Sequence, residues 1–247
     1  MRVENINPYS SEGEKSVQVE EMFDSIASAY DFMNSAMSFG LHRRWRDKAL
    51  KAALQYFSST PPHKILDVAT GTGDLSFRLH QLLPESYITG IDISEGMLEI
   101  ARQKLKNLPE HQRKLIAFGK ADCLSLPFHD GEFDLVTVAY GVRNFSNLPK
   151  GIQEMRRVLR PGGVLCIIEL SSPTGKISSS LYKLYTKVIP ITGGWISGDK
   201  KAYSYLPESI AACPQRDDMA AILYGEGFRH VDWKSLTLGA VTYYIAQ

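Results

Sequence analysis

Apolar residues along this chain follow two rhythms. Val19, Met22, Phe23, Ile26, Ala27 and Tyr30 return at helical spacing and form a single stripe. A second helix is expected over residues 45–56, and Pro61-Pro62 stops any helix before the next element. From there short apolar runs alternate with helical segments. Residues 65–69, 87–93, 115–120, 133–139 and 164–170 read as strands, and residues 75–83, 96–106 and 148–159 as helices. Strands separated by helices of this length imply βαβ units and a parallel sheet. Near-continuous apolar strands such as VLCIIEL fit a sheet covered on both faces. The closing stretch HVDWKSLTLGAVTYYIAQ predicts two strands about a turn near Gly239. The expected fold class is α/β: a doubly wound, mainly parallel sheet with an antiparallel C-terminal strand pair.

Residues 176–189, KISSSLYKLYTKVI, break the alternation. Ile177, Leu181, Leu184, Tyr185 and Val188 share one helical face, flanked by Lys176, Lys183 and Lys187. The segment is expected to be a helical cap over the carboxyl edge of the sheet. A single domain over 1–247 is expected, with an N-terminal arm and helices (1–60), a core (61–170), a cap segment (171–210) and a C-terminal helix with strands (211–247).

Composition narrows the functional classes. The chain has 247 residues, 44% hydrophobic and 22% charged, enough for one sizeable core. A net charge of +1 carries no footprint of a nucleic-acid binder. Cys123, Cys166 and Cys213 form no CxxC pair, which argues against a disulfide framework or a zinc cluster and suits a reducing cytoplasm. The polar, mixed-charge start is neither a signal nor a transit peptide, and no apolar run approaches membrane-spanning length.

The stretch ILDVATGTGD ends a strand with an acid and then bends on two glycines. In a doubly wound sheet this bend lies in the crevice beyond the strand ends, where ligands bind. Gly71 and Gly73 allow a tight turn and close approach to the main chain. A dinucleotide fold wants a third glycine, where this chain has Ser76. Asp67, just before the turn, suits a ligand with a cation or amine. Asp92 ends the second strand roughly 20 residues on, where an acid accepts hydrogen bonds from both hydroxyls of a ribose. Its alternative role as a helix cap competes with Ser94. Asp122 ends the third strand, within reach of an exocyclic amine of adenine. A tight turn without a ligand is the plain alternative for the glycines alone. Three acids on successive strand ends together describe an adenosine-containing ligand without phosphates.

ILDVATGTGD, GIDIS, ADCLSLPF, FDLVTVAYGVRN and VLRPGGVL resemble successive motifs of the Rossmann-like, S-adenosylmethionine-dependent methyltransferases. MFDSIASAYDFMNSAMSFGLHRRWR, AYGVRNF, GDKKAYSYLPESI and the run from LYGEGF onward are similar to the quinone C-methyltransferases of menaquinone and ubiquinone synthesis. The resemblance runs from about residue 17 to the C-terminus, and the N-terminal segment is closer to the demethylmenaquinone branch. It implies S-adenosylmethionine as cofactor, held at Thr72, Asp92 and the pair Asp122-Cys123. At Ala139, where the family often has Ser or Gly, only a backbone contact is implied.

The same resemblance implies methyl transfer to a ring carbon of a lipid-tailed quinol, with no metal, since the sulfonium is already activated. Demethylmenaquinol is the expected acceptor; a ubiquinol precursor, another small molecule, or a non-catalytic adenosyl-binding module are the alternatives. Arg143 is expected to stabilise the developing phenolate, Asn144 to orient that network and Tyr30 to bond the ring oxygen or the sulfonium side. A structural salt bridge is the alternative for Arg143 and a core position for Tyr30. His42 is a candidate base, although Arg43, Arg44 and Arg46 also read as a solvated basic face. Tyr203 and Tyr205 are expected to close the cavity. A cytoplasmic enzyme, peripheral to the inner face of the membrane when it collects its substrate, fits these features, and a homodimer stays open.

Overall fold

The computed structural model describes residues 3–10, 12–57, 60–175 and 200–247, the last with side chains from Tyr205 onward. The expected cap helix over 176–189 and the Tyr203 side chain lie outside the described residues. Two helices, α1 (Lys15–Met37) and α2 (Leu41–Leu54), precede the sheet. Then β1 (Lys64–Val68), α3 (Asp74–Leu82), β2 (Tyr87–Asp92), α4 (Glu95–Lys106), a short α5 (Glu110–Arg113) and β3 (Ile116–Lys120) build one half. The other half holds β4 (Phe133–Ala139), α6 (Leu148–Val158), β5 (Leu159–Leu170), α7 (Lys200–Ala212), α8 (Asp217–Gly225), β6 (Val231–Leu236) and β7 (Val241–Ala246).

The strands lie in the order β3-β2-β1-β4-β5-β7-β6. The first five pair in parallel, and β7 runs antiparallel to both β5 and β6. The chain winds outward from β1 through β2 to β3 and returns on the other side of β1 as β4. The switch point, where a doubly wound sheet opens a crevice, is therefore between β1 and β4.

Period-two alternation divides the core. Leu66, Val68, Val136, Val138, Leu165 and Ile167 bury one face of the sheet against Ile152 and Met155 of α6 and Met219 and Leu223 of α8. Ile65, Leu135, Cys166 and Ile168 bury the other against Trp45, Ala49 and Leu50 of α2 and Leu79 of α3. A third cluster joins Met22, Ile26, Ala27 and Met33 of α1 to Met97 of α4 and Tyr205 of α7. The apolar stripe read along α1 thus covers the amino end of α4 instead of the sheet.

β5 starts at Leu159, earlier than the expected 164. Leu159 pairs with Phe133, and Arg160–Gly163 is taken up by an irregularity in the β4–β5 register. Asp134 organises this corner. Its Oδ2 accepts the backbone N–H groups of His63 and Lys64, 2.6 and 2.7 Å away, and its Oδ1 pairs with Arg160 Nε at 2.6 Å. One carboxylate therefore aligns the amino ends of β1, β4 and β5. Asp134→Ala leaves two backbone donors without their acceptor, and we expect it to lower the unfolding free energy by about 1–3 kcal/mol. The readout is the urea midpoint; an unchanged midpoint would remove Asp134 from this role.

Candidate active site

β1 ends at Val68 and the next residues turn sharply. Ala69, Gly71 and Gly73 all have positive φ, at 51°, 57° and 80°. The turn is anchored from below by Asp67, which is buried. Its Oδ2 accepts the hydroxyls of Thr70 at 2.6 Å and Ser76 at 2.7 Å, and its Oδ1 accepts Thr137 Oγ1 at 2.8 Å. Burial pushes its carboxyl above the usual carboxylate range against these three donors. Asp67 therefore faces protein hydroxyls and does not line the cleft. The two glycines also divide. Among the described residues a Cβ on Gly71 would meet only the Tyr30 ring, at 3.9 Å, whereas one on Gly73 would strike Phe118 at 2.8 Å and Phe77 at 2.9 Å. Gly71 borders open space, and Gly73 is small because the aromatic pair packs there.

Above the turn lies a cleft of about 730 Å³, counted out to its open mouth. Asp92, Asp122, Cys123, Ala139, Gly71, Tyr30 and Asn144 all line it. Ser94 caps α4, accepting Met97 N–H at 3.1 Å, which frees the Asp92 carboxylate for the cleft. Asp92 accepts the N–H of Gly71 at 2.8 Å and of Ser94 at 2.9 Å. Burial nevertheless raises its carboxyl to about 6, since backbone donors alone do not replace the lost water. Asp122 accepts Leu124 N–H at 2.9 Å, and burial pushes the Cys123 thiol well up. Phe23, Tyr30, Tyr140 and Phe145 supply aromatic walls. Phe23, Tyr140 and Phe145 stand out only once the elements are assembled. The sequence signal for the last two was their place just past a strand end.

Helix α1 lies across the cleft and is tied down along its length. Glu20 pairs with Lys120 at 2.5 Å. Asp24 accepts Ser94 Oγ at 2.5 Å and Gly96 N–H at 2.9 Å. Asp31 pairs with Lys104 at 2.6 Å and accepts Thr72 Oγ1 at 2.6 Å. Thr72 is buried in this network and does not line the cleft. Lys104 also reaches Asp74 at 2.9 Å, and Asp74 pairs with Arg46 at 3.1 Å. Arg43 and Arg44 are exposed as read, but Arg46 is buried. His42 is buried with Nδ1 2.6 Å from Ser38 Oγ, away from the cleft lining. Burial, then Arg46, lowers its pKa.

Arg143 and Asn144 sit in a 3₁₀ turn, Val142–Asn144, just past β4. Arg143 is buried and does not line the cleft. Its Nη1 pairs with Glu169 Oε1 of β5 at 2.9 Å and donates to the Tyr140 carbonyl, and its backbone N–H donates to Glu169 Oε2 at 3.3 Å. This is the salt-bridge alternative. Asn144 lines the cleft, donates through Nδ2 to the Tyr140 carbonyl at 3.4 Å and accepts the Tyr205 hydroxyl at 3.1 Å. The Arg143 carbonyl accepts Lys15 Nζ at 3.1 Å, and burial lowers the Lys15 pKa to about 8. Tyr30 lines the cleft and is buried enough that its phenol is pushed up.

This sheet order, with an acid-rimmed cleft and no phosphate-type glycine triplet at the switch point, is that of the Rossmann-like, S-adenosylmethionine-dependent methyltransferases. The description of the ubiE/COQ5 methyltransferase family matches residues 11–247, and the chain belongs to that family. It is 46% identical to a demethylmenaquinone methyltransferase of Bacteroides fragilis over 98% of this chain and 97% of that one. It is 42% identical to a ubiquinone/menaquinone biosynthesis C-methyltransferase of Geotalea daltonii, over 95% and 97%. A solved SAM-dependent methyltransferase from Thermotoga maritima superposes with a TM-score of 0.61 at 16% identity, covering 92% of this chain and 98% of that one, and shares the fold.

The two glycines separate by substitution. Gly71→Ala places a methyl group toward the cleft and costs about 1 kcal/mol of backbone strain. Gly73→Ala adds an aromatic clash to the same strain and should cost at least roughly 2 kcal/mol more. Chemical denaturation of the two variants measures the difference; equal costs would contradict the packing role of Gly73.

Proposed function

We propose that this protein methylates demethylmenaquinol at a ring carbon, using S-adenosylmethionine, to give menaquinol. The observation that carries the reading is that one cleft is lined both by acids, Asp92 and Asp122, and by aromatic residues, Phe23, Tyr30, Tyr140 and Phe145. The family and the name of the Bacteroides relative support the same acceptor.

The cleft suits the adenosyl group. Asp92 is a partly buried acid whose donors among the described residues are backbone N–H groups, and a ribose diol supplies further ones. Asp122 and Cys123 border the place for the base, and Gly71 opens the main chain to the remainder of the ligand. Ala139 contributes only its backbone and a methyl group. Asp67, Thr72 and Gly73 act indirectly, by setting the turn and fastening α1 over it. Bound there, S-adenosylmethionine supplies a methyl group already activated on a sulfonium. The protein's part is to hold the acceptor carbon in line with it, an arrangement worth up to about 7–11 kcal/mol of barrier in favourable cases.

The acceptor ring must lose a hydroxyl proton before its ortho carbon becomes nucleophilic. Tyr30 and Asn144 are polar side chains on the cleft wall suited to this task. Arg143 takes a positioning role through Glu169 and the Tyr140 carbonyl. The polyprenyl tail resides in a bilayer, so transient contact with the membrane surface belongs to this reading. Among the described residues, no helix is long and apolar enough to cross a membrane.

The direct test incubates purified protein with labelled cofactor and short-chain demethylmenaquinol. Methylated menaquinol is expected by mass spectrometry. A second arm with 2-methoxy-6-polyprenyl-1,4-benzoquinol covers the ubiquinone branch that the Geotalea relative's name includes. No product from either acceptor overturns the reading.

Asp92 gives a pH prediction. Its raised pKa stabilises the free protein at low pH, an effect lost as pH rises from the usual carboxylate range through about 6. Ligand binding has the opposite sign, because the ribose diol donates to the ionised acid. The affinity for S-adenosylhomocysteine should therefore weaken about fourfold between pH 7.5 and about 5.5. Calorimetry measures it, and Asp92→Asn should bind weakly with this pH dependence gone. A wild-type affinity that is flat across the interval would contradict the assignment.

A further inference from the structure

Tyr140 stands one residue past β4 with φ at 60°, in the left-handed region that a residue with a bulky side chain occupies only under constraint. Its backbone is fastened on both sides. Its N–H donates to Ile168 O at 2.7 Å, and its carbonyl accepts both Arg143 Nη1 and Asn144 Nδ2. Arg143 is held in turn by Glu169. The Arg-Asn pair of YGVRN therefore converges on the peptide of the residue that opens the motif. From this fastened point Tyr140 is one of the residues that line the cleft. Its hydroxyl oxygen is buried and has no hydrogen-bond partner among the described residues. Buried tyrosine hydroxyls ordinarily find a partner. Arg46, Glu169, Tyr30 and Arg143 lie within electrostatic reach, but none bonds to it. Burial pushes its pKa up, so it is a neutral donor at physiological pH.

We infer that Tyr140 reads one ring oxygen of the methyl acceptor, its hydroxyl donating a hydrogen bond, while Arg143, Asn144 and Glu169 are positioning residues that hold the backbone from which it projects. This rests on the quinol reading above. A neutral phenol facing the acceptor oxygen bonds more strongly as negative charge develops there. It also discriminates against rings that lack an oxygen at that place.

Tyr140→Phe removes only the unpartnered oxygen. The unfolding midpoint should be unchanged or raised, and the Kd of S-adenosylhomocysteine unchanged. kcat/KM for short-chain demethylmenaquinol should fall by roughly 10- to 100-fold. Two monohydroxy naphthol analogues, each lacking one ring oxygen, extend the test. With one of them wild type and Tyr140→Phe should turn over equally. Glu169→Gln should lower kcat/KM in the wild-type background and add little in Tyr140→Phe, the signature of a residue acting through another. Unchanged kcat/KM in a wild-type enzyme that does methylate the quinol overturns this inference alone. Weaker cofactor binding or a lowered midpoint in Tyr140→Phe also overturns it, by giving the hydroxyl another partner. A wild-type enzyme that makes no product removes the quinol reading and this inference with it.

Discussion

A carboxylate with no cation in contact has to be solvated by the protein itself, and Asp67 is solvated by three hydroxyls from three elements. Thr70 comes from the turn, Ser76 from the first turn of α3 and Thr137 from β4. The bonds draw β1, its neighbour across the switch point and the following helix onto one point. The path of the turn follows from that convergence. Gly71 presents its N–H to Asp92, and Gly73 packs under Phe118. Without Asp67 the cleft would lose the fixed edge against which Asp92 is placed through the Gly71 N–H. Burying an ion is costly unless its lone pairs are met, which explains why small hydroxyl residues surround it in an otherwise apolar sheet.

The roof obeys different electrostatics. α1 is held by half-exposed pairs, Asp31–Lys104 and Glu20–Lys120, together with the Asp24 contacts to the amino end of α4. Pairs of this exposure contribute little each. The buried floor is thus specified strongly, and the roof is fastened by contacts that can be exchanged singly. Under the proposed function, the cleft has to admit an adenosyl ligand from solvent and an acceptor with a long apolar tail, and that asymmetry serves both.

The alternation of strands and helices was legible because its two periodicities are local properties, and most element ends fall within a few residues of expectation. β5 was the exception. Arg160-Pro161-Gly162-Gly163 reads as a turn, yet its flank Leu159 already pairs with Phe133. The acids were legible as a set but not in their separate roles. Asp67, Asp92 and Asp122 read alike in the sequence as strand-end acids, although Asp67 lies within β1 and Asp122 stands two residues past β3. What separates them is whether hydroxyls from distant segments close on the carboxylate, and Thr137 is 70 residues from Asp67. For Arg143 the salt bridge could be weighed in the sequence but not decided, for the same reason. Its partner Glu169 lies 26 residues on, in a strand whose apolar run masks the one acid within it.

Backbone strain points to the part of the cleft where geometry is most tightly controlled. Ala69 and Tyr140 each stand one residue past a strand, on the two strands that flank the switch point, and both have positive φ without being glycine. They constrain their surroundings as well: a Cβ on Gly141 would come within 2.7 Å of the Ala69 methyl group. Such conformations cost of order 1–3 kcal/mol each and persist where neighbours over-determine them. At Ala69 the neighbour is the Asp67-anchored turn. At Tyr140 it is the Ile168 carbonyl on one side and the Arg143–Asn144 donors on the other. A relaxed β4 terminus would carry the Tyr140 ring elsewhere. Charged and amide side chains committed to one strained carbonyl make sense when the position of that ring matters more than the stability its strain removes.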